Sequence, residues 1–376
     1  MEDLTLILLA AGESNRFRDG KFFCKKQWIR VGKDPLWLYV AKRFLKKAKF
    51  NKVIVVGNKD ELSYMRSFSN DIEFVSGGDE RAKSLKNALD VVTSPYVLVS
   101  DVARTKTPFK IVKKLYKKRV KFDSISPYLP VFDTTYEELN LIDRELLKLI
   151  QTPQLSKTSL LKKALSKEAH FSDDSSAIKS VGGSLGFVKG SQKSAKITKF
   201  KDLKSFKFEP PTNEQRVGIG FDVHRLESGN GIALCGVLIP CEFKFIAHSD
   251  GDVALHAIID ALLGAANMGD IGKLYPDSDE KFKGIDSTKL LKDSFRRISE
   301  VGYVVVNVDL TIAAQEPKLM NYKEEMSRKV ASLLNLEPNR VNIKASTTEK
   351  LGFVGRQEGI LALALVTLRF FDWSRR

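Results

Sequence analysis

A chain of 376 residues exceeds the ~250–300 residues that one hydrophobic core usually supports, so two domains are expected. Its hydrophobic content of 43% is ordinary for a globular protein, and no apolar run reaches the ~18 residues of a membrane span. The formal charge of +16 is uneven: residues 1–210 carry +17 and residues 211–376 carry −1, which places a boundary near 210.

A basic half raises nucleic-acid binding. However, the lysine runs 113–114 and 117–121 sit on a helical pattern without interleaved aromatics, so a solvated helix face and small anionic substrates are expected instead. Cys24, Cys235 and Cys241 form no Cys-x-x-Cys pair, which fits reduced thiols in a cytoplasm. The apolar N-terminus has an acidic flank, unlike a signal peptide, and reads as a buried strand.

In the first half, apolar runs at 4–9, 52–57, 72–76 and 96–100 alternate with helical patterns at 35–48, 60–69, 80–92 and 108–119. This alternation predicts a parallel sheet with helices on both faces. Ligands of such sheets bind at the carboxyl ends of the strands. Three loops lie there. The first, 10–27, starts with the small residues Ala10, Ala11 and Gly12 and carries Arg16, Arg18, Lys21, Lys25 and Lys26, a phosphate cradle of amides and cations. It is not a Walker A loop, because Phe22 follows Gly20-Lys21. The second, Gly77-Gly78-Asp79-Glu80-Arg81, opens a helix whose N-terminus can receive an anion or a base edge. The third holds Asp101, a possible Mg²⁺ ligand, and Arg104. Further on, Asp173-Asp174 is expected to cap a short helix, and the glycines at 182, 183 and 186 read as a turn. Residues 209–215, with Pro210-Pro211, read as a short, stiff linker between domains 1–208 and 216–376.

The second half contains three of the four histidines, at positions 224, 248 and 256, near Asp222, Asp250 and Asp252. Asp222-x-His224 puts both side chains on one face of a strand, and Asp252 and His256 share a helix face. Two imidazoles and a carboxylate suit Zn²⁺, with a fourth position open as in catalytic sites. The pattern leaves open which of the three histidines are ligands. Strands are expected at 216–225, 303–315, 340–347 and 359–371, with helices at 250–268, 287–301 and 323–334. This is a compact α/β unit with helices on one face of a mixed sheet. Gly218 and Gly220 mark places where a ligand or backbone comes close.

The motifs LAAGESNRF…KKQ, GGDERAKS, DVAR, TPQ, DDSSA and KIT, in that order over about the first 205 residues, resemble the 2-C-methyl-D-erythritol 4-phosphate cytidylyltransferase family. That resemblance implies a Rossmann-like nucleotidyltransferase domain with a parallel-rich sheet. It implies that Arg16, Lys26 and Lys196 stabilise the triphosphate and that Gly78, Asp79 and Ser84 recognise cytosine, beside Ala10, Ala11 and Gly12. It places Asp101 and Arg104 at ribose, metal or methylerythritol phosphate, and extends Arg144 and Thr152 into a neighbouring subunit's site. The sequence departs from the family at Ser14 for a glycine, Lys25 for a proline and Ser100 for a histidine.

The motifs FDVH, AHSDGDVALHA, GDIGKLYPD, AAQEPKL and TTEKLGF…GRQEG, from 216 to about 368, resemble 2-C-methyl-D-erythritol 2,4-cyclodiphosphate synthases. That resemblance implies a smaller α/β domain whose zinc ligands are Asp222, His224 and His256, with His248 and Ser249 on substrate phosphate. Asp270, Gly272 and Asp277 would hold the methylerythritol part. The segment from Ala314 to Leu319 would read cytosine, with Lys318, Thr347, Phe353 and Arg356 also on the substrate and Glu349 on Mg²⁺ or Mn²⁺. Ser346 replaces a family threonine and keeps the hydroxyl.

Together the resemblances imply one chain with two non-consecutive activities of the non-mevalonate isoprenoid pathway. Its substrates would be CTP and methylerythritol phosphates, with Zn²⁺ in the second domain and Mg²⁺ or Mn²⁺ in both. No nucleic-acid or membrane partner is expected. A dimeric first domain and a trimeric second one are compatible with a hexamer. A sugar-phosphate nucleotidylyltransferase fused to a zinc hydrolase is the alternative, separable by CTP selectivity.

Overall fold

The computed structural model describes residues 1–18, 23–166, 171–276 and 278–375. The chain divides into two compact units, Met1–Pro210 and Pro211–Arg376.

The first unit is built on an eight-stranded sheet. Leu4–Leu9 runs through its middle, parallel to Lys52–Gly57 on one side and Tyr96–Asp101 on the other. Glu73–Ser76 continues the parallel set. The sheet is parallel-rich, as expected, and turns antiparallel beyond Tyr96–Asp101, where Gln154–Lys157 pairs with that strand and with Ser124–Pro130. The alternation that forecast parallel strands ends at residue 119, so this second part carried no such signal. Strand residues are apolar on both sides because both faces are covered. Ile7, Ile54, Val56, Val97 and Val99 join Leu85, Leu89, Leu161 and Ile178 in one core cluster. Leu6, Leu8, Val53, Val55 and Leu98, which alternate with them, are equally buried.

Helices are shorter than their patterns. The 60–69 helix reduces to a 3-10 turn at Lys59–Glu61 and Leu62–Arg66. The helix 108–119 spans Phe109–Lys118, with Ile111, Val112 and Leu115 buried and its lysines Lys113, Lys114, Lys117 and Lys118 exposed. Asp173 caps the helix Asp174–Ser180 in a capping box. Asp174 does not act as a cap: it is buried and ion-paired with Arg81 at 2.7 Å. An unforeseen hairpin, Thr135–Glu137 with Asn140–Ile142, belongs to a segment that exposes Phe132, Tyr136, Leu139, Leu141, Leu146 and Leu149. Glu209 still belongs to the first unit, where its carbonyl accepts the Gly32 N–H.

In the second unit the five-stranded sheet runs Phe243–Ile246, Gln215–Ser228, Gly359–Phe370, Tyr303–Ala313, Val341–Ser346. All neighbours are antiparallel except the last pair. Helix Val253–Ala266 lies on the two long central strands. Gly218 and Gly220 allow this. A Cβ on Gly220 would sit 1.9 Å from the Ala257 carbonyl oxygen, and one on Gly218 would sit 2.1 Å from that of Ala261. The close neighbour foreseen at these glycines is therefore helix backbone. The helix begins at Val253, later than the pattern, because Asp252 is its N-cap. The Asp252 carboxylate is fully buried and accepts the N–H groups of Cys235, Gly236 and Leu255. It is a structural cap and does not share a ligand face with His256. The opposite face of the sheet exposes Val217, Ile219, Phe221, Leu363 and Leu365.

Candidate functional site

In the first unit the three loops at the strand ends enclose a cavity of about 830 Å³. Its walls include Ala10, Ala11, Gly12, Arg16, Lys26, Gly78, Asp79, Ser84, Asp101 and Lys196, so ten of the expected residues share one space. Ala10 N–H bonds the Val56 carbonyl, which turns the chain out of the sheet just after the first strand. Ser14, in place of a glycine, adopts φ 61°, a left-handed conformation that disfavours side chains. Its hydroxyl offsets this by accepting the Lys26 N–H at 3.1 Å and bonding Gln27 Oε1 at 3.0 Å. Gln27 in turn donates to the Gly12 carbonyl at 3.0 Å. The two ends of the loop are thus clasped and Lys26 is fixed at the cavity wall. Lys25 is buried and pairs with Glu61 at 2.9 Å and Glu13 at 3.0 Å.

The cavity gathers positive charge. Burial, together with the nearby cations Lys196 and Arg16, pushes the Lys26 ammonium down to about 8. Lys196 Nζ lies 2.7 Å from Asp101 Oδ2, and Arg81 Nε lies 3.9 Å from Oδ1. Burial drives the Asp101 carboxyl upward, but these cations outweigh it and hold it below the usual carboxylate range. Both Asp101 oxygens therefore face cations, and the carboxylate is already engaged in ion pairs where a Mg²⁺ ligand was foreseen. Gly78 N–H bonds the Ser84 hydroxyl at 3.0 Å, which shapes the turn into helix Arg81–Asp90.

Three expected residues lie elsewhere. Arg104 donates to the Ser194 carbonyl at 2.6 Å and lies outside the cavity lining. Arg144 is exposed on the outlying segment and donates to the Phe132 carbonyl. Thr152 is buried and its hydroxyl accepts the Asp101 N–H of its own chain at 3.3 Å. The strand Gln154–Lys157 beside it pairs with Tyr96–Asp101, which brings Thr152 next to Asp101. Arg81 lines the cavity and was not singled out. Its ion pair with Asp174 spans 93 residues and leaves no local spacing to read.

In the second unit Asp222 and His224 leave the strand Gln215–Ser228 on the side facing helix Val253–Ala266, where His256 meets them. One ligand atom from each of the three falls within 4.8 Å of the others. Asp222 Oδ2 lies 3.2 Å from Nδ1 of both His224 and His256. A tetrahedral zinc with ~2.0–2.1 Å bonds needs donors about 3.3 Å apart, so spacing and donor types fit such an ion. Burial alone would raise the Asp222 carboxyl; the His256 hydrogen bond and the charge of both histidines more than offset it, and it lies below its ordinary value.

A second cavity of about 320 Å³ opens on this cluster and is also lined by His248, Ser249, Gly272 and Tyr275. His248 Nε2 is buried without a hydrogen bond from the protein and is available to a ligand oxygen. Asp270 caps the short helix Ile271–Leu274. Asp277 lies outside the described residues. The remaining expected residues gather on neighbouring loops. The Ala314 N–H bonds the Ser346 carbonyl, and the Lys350 N–H bonds Gln315 Oε1. Thr347 donates to Glu349 at 2.9 Å, and Lys318 is exposed beside Glu316. Glu349 is not one of the clustered donors. Its loop leaves the strand Val341–Ser346 and it takes φ 52°. Phe353 is partly exposed and Arg356 pairs with Glu358 at 2.9 Å.

The sequence matches the 2-C-methyl-D-erythritol 4-phosphate cytidylyltransferase family over residues 4–209 and the YgbB family over residues 215–369. It is 49% identical over 375 residues to the bifunctional enzyme IspD/IspF of Campylobacter hominis, covering 100% of both chains. It is 48% identical over 377 residues to the protein of the same name from a Sulfurovum species, again covering 100% of both. The solved structure of the bifunctional IspDF from Campylobacter jejuni superposes with a TM-score of 0.89 at 45% identity, covering 99% of this chain and 100% of that one. The chain therefore belongs to the bifunctional IspD/IspF enzyme family, with a cytidylyltransferase domain followed by a cyclodiphosphate synthase domain.

Proposed function

We propose that the first cavity transfers CMP from CTP to 2-C-methyl-D-erythritol 4-phosphate. The second site would close 4-diphosphocytidyl-2-C-methyl-D-erythritol 2-phosphate into the 2,4-cyclodiphosphate. The observation that carries the first assignment is the crowding of Lys26, Lys196 and Arg16 on one cavity wall, where charge builds up as pyrophosphate departs. The 4-phosphate oxygen attacks the α-phosphorus and the bond to pyrophosphate breaks, with no covalent enzyme intermediate. Positioning and electrostatic stabilisation then supply the rate. Ser84 and the Gly78 backbone, joined by their hydrogen bond, present a narrow polar ledge for the cytosine edge. Mg²⁺ would be held mainly by the triphosphate oxygens with one or two carboxylates at most, the usual manner of that ion.

The second assignment is carried by the convergence of Asp222, His224 and His256. A Zn²⁺ held there would supply Lewis acidity to a phosphate oxygen. His248, with its open Nε2, and Ser249 are placed to hold the 2-phosphate as it attacks the β-phosphorus and expels CMP. Thr347, Lys318 and Glu349 are read as contacts of the diphosphate and its Mg²⁺ or Mn²⁺.

Two exposed apolar surfaces support a homo-oligomer. One is the segment around Phe132, Leu139 and Leu146, and the other is the outer sheet face around Ile219 and Phe221. Dimeric contacts through the first and trimeric contacts through the second would give a hexamer. No described helix is long and apolar enough to cross a membrane. The free cysteines Cys24, Cys235 and Cys241 fit a reducing cytoplasm.

The direct test supplies CTP with methylerythritol phosphate and follows pyrophosphate, then supplies the 2-phosphorylated CDP intermediate and follows CMP. Release of both products, with CTP preferred over other nucleotides, is expected. Hydrolysis of unrelated phosphoesters at the second site, without cyclisation, would favour a zinc hydrolase instead.

A further inference from the structure

Behind His256, on the side away from Asp222, stands a group that the proposed reaction does not use. His256 Nε2 lies 2.9 Å from the Ser287 hydroxyl, and that hydroxyl lies 2.5 Å from Asp250 Oδ1. Asp250 Oδ2 accepts the Ser287 N–H at 3.0 Å. Ser287 is fully buried at the first position of helix Ser287–Glu300. Its hydroxyl is not needed to cap that helix, because Asp286 is the N-cap and accepts the Thr288 N–H. The backbone ties the two segments together as well: Gly284 N–H bonds the His248 carbonyl and Asp250 N–H bonds the Ile285 carbonyl.

We propose that Asp250 and Ser287 form a hydrogen-bonded relay that holds the His256 ring and directs its Nδ1 lone pair at a divalent cation shared with Asp222 and His224. The inference rests on the reading of those three residues as a metal site. An ionised carboxylate only accepts hydrogen bonds, so the Ser287 proton goes to Asp250. The Ser287 oxygen then accepts, and the His256 Nε2 proton goes to it. The Nε2 proton is thereby held on the relay side, and Nδ1, 3.2 Å from the Asp222 carboxylate, is the nitrogen left for the cation. Ligand atoms of His224, His256 and Asp222 thus lie within 4.8 Å of one another, where one cation can take all three. Ser249, whose hydroxyl is 3.3 Å from the same Nε2, also accepts the Gly251 N–H and is the weaker of the two neighbours. Ser287 and Asp250 are positioning residues in this arrangement, since they act through His256.

The test measures zinc affinity of the full chain by competition with a chromogenic chelator. Ser287→Ala should weaken binding about tenfold to a hundredfold, the range for outer-shell partners of metal ligands. Ser287→Thr, which restores a hydroxyl, should recover most of the loss. In a double-variant cycle, adding Asp250→Ala to Ser287→Ala should cost little more than Ser287→Ala alone, because one relay is already broken. Thermal unfolding of the metal-free variants separates a folding defect from a ligand defect. Wild-type affinity in Ser287→Ala, or additive losses in the double variant, would overturn the relay while leaving the metal site standing. A wild-type chain that binds no zinc would overturn both.

Discussion

The depressed Lys26 ammonium makes the first activity sensitive to alkaline pH in a way that can be calculated. A lysine normally titrates near 10.5, and burial beside Lys196 and Arg16 brings Lys26 down to about 8. The protonated form is the one that can stabilise a leaving pyrophosphate. At pH 8 about half of the free enzyme carries the neutral amine, and at pH 9 about nine-tenths does. The kcat/KM for CTP should therefore fall with a limiting slope of one decade per pH unit above pH 8, because this parameter reports the free enzyme. Phosphate oxygens of the substrates titrate near pH ~6 and do not contribute to this limb. Bound triphosphate favours the charged amine, so kcat should decline at higher pH than kcat/KM. CTP binding above pH 8 should also take up a proton from the buffer. Lys26→Arg keeps its charge throughout and should lose the alkaline limb, whatever its absolute rate. Lys26→Ala should lower turnover about a hundredfold, the effect of removing one stabilising donor. Pyrophosphate release, measured from pH 7 to 9.5 in a constant-ionic-strength buffer, decides the matter. Near-normal release by Lys26→Ala would refute the role given to Lys26, and a flat wild-type profile would refute its depressed titration.

Four further outcomes follow from the structure. His224→Ala should abolish CMP release, and a chelator should do the same to the wild type; activity surviving both would remove the metal from the reading. Ser14→Ala keeps the left-handed backbone but loses the clasp to Lys26 and Gln27, so it should destabilise the first unit by about 1–2 kcal/mol in urea unfolding, whereas Ser14→Gly relieves the backbone and should cost less. Lys25→Pro suits the backbone at φ −72°, yet it takes the cation from a nearly buried Glu61; a loss of about 3 kcal/mol is expected, with partial recovery in the Lys25→Pro/Glu61→Gln double variant. Gly220→Ala would force its methyl to within 1.9 Å of the Ala257 oxygen and should destabilise the second unit by about 3 kcal/mol or more, readable as a lowered unfolding midpoint.

What the sequence makes legible is whatever depends on short spacing. The apolar run at Leu4–Leu9 announces a covered strand, and the small residues after it announce the loop that becomes the cavity wall. Asp222-x-His224 announces two donors on one face, as alternation requires. Which histidine completes the set is different: His248 and His256 are both near in sequence, and the choice depends on helix Val253–Ala266 lying on Gly218 and Gly220. The resemblance to known families supplied that choice, and the structure places His256 in the cluster. Partners that meet across the fold leave no periodic trace. Ser287 reaches Asp250 over 37 residues and Arg81 reaches Asp174 over 93, so neither Ser287 nor Arg81 stood out from the sequence. Asp252 misled for the opposite reason: its spacing to His256 is right for a shared helix face, but an N-cap acid one residue before a helix looks the same in sequence as the first acid on it.

The two sites also resolve the uneven charge of the chain. In the first unit the excess of cations is partly a solvated surface and partly a crowd of like charges, Lys26, Lys196 and Arg16, that depresses Lys26. In the second, nearly neutral unit, the crowd is of acceptors, Asp222, His224 and His256. The first arrangement is unfavourable by itself and suits a polyphosphate, while the second gathers donor atoms that suit a divalent cation. Net charge alone therefore misrepresents the second site, whose substrate is as anionic as the first. The cations that meet that substrate there need not come from lysine or arginine, because a metal held by neutral imidazoles and one carboxylate brings the positive charge with it.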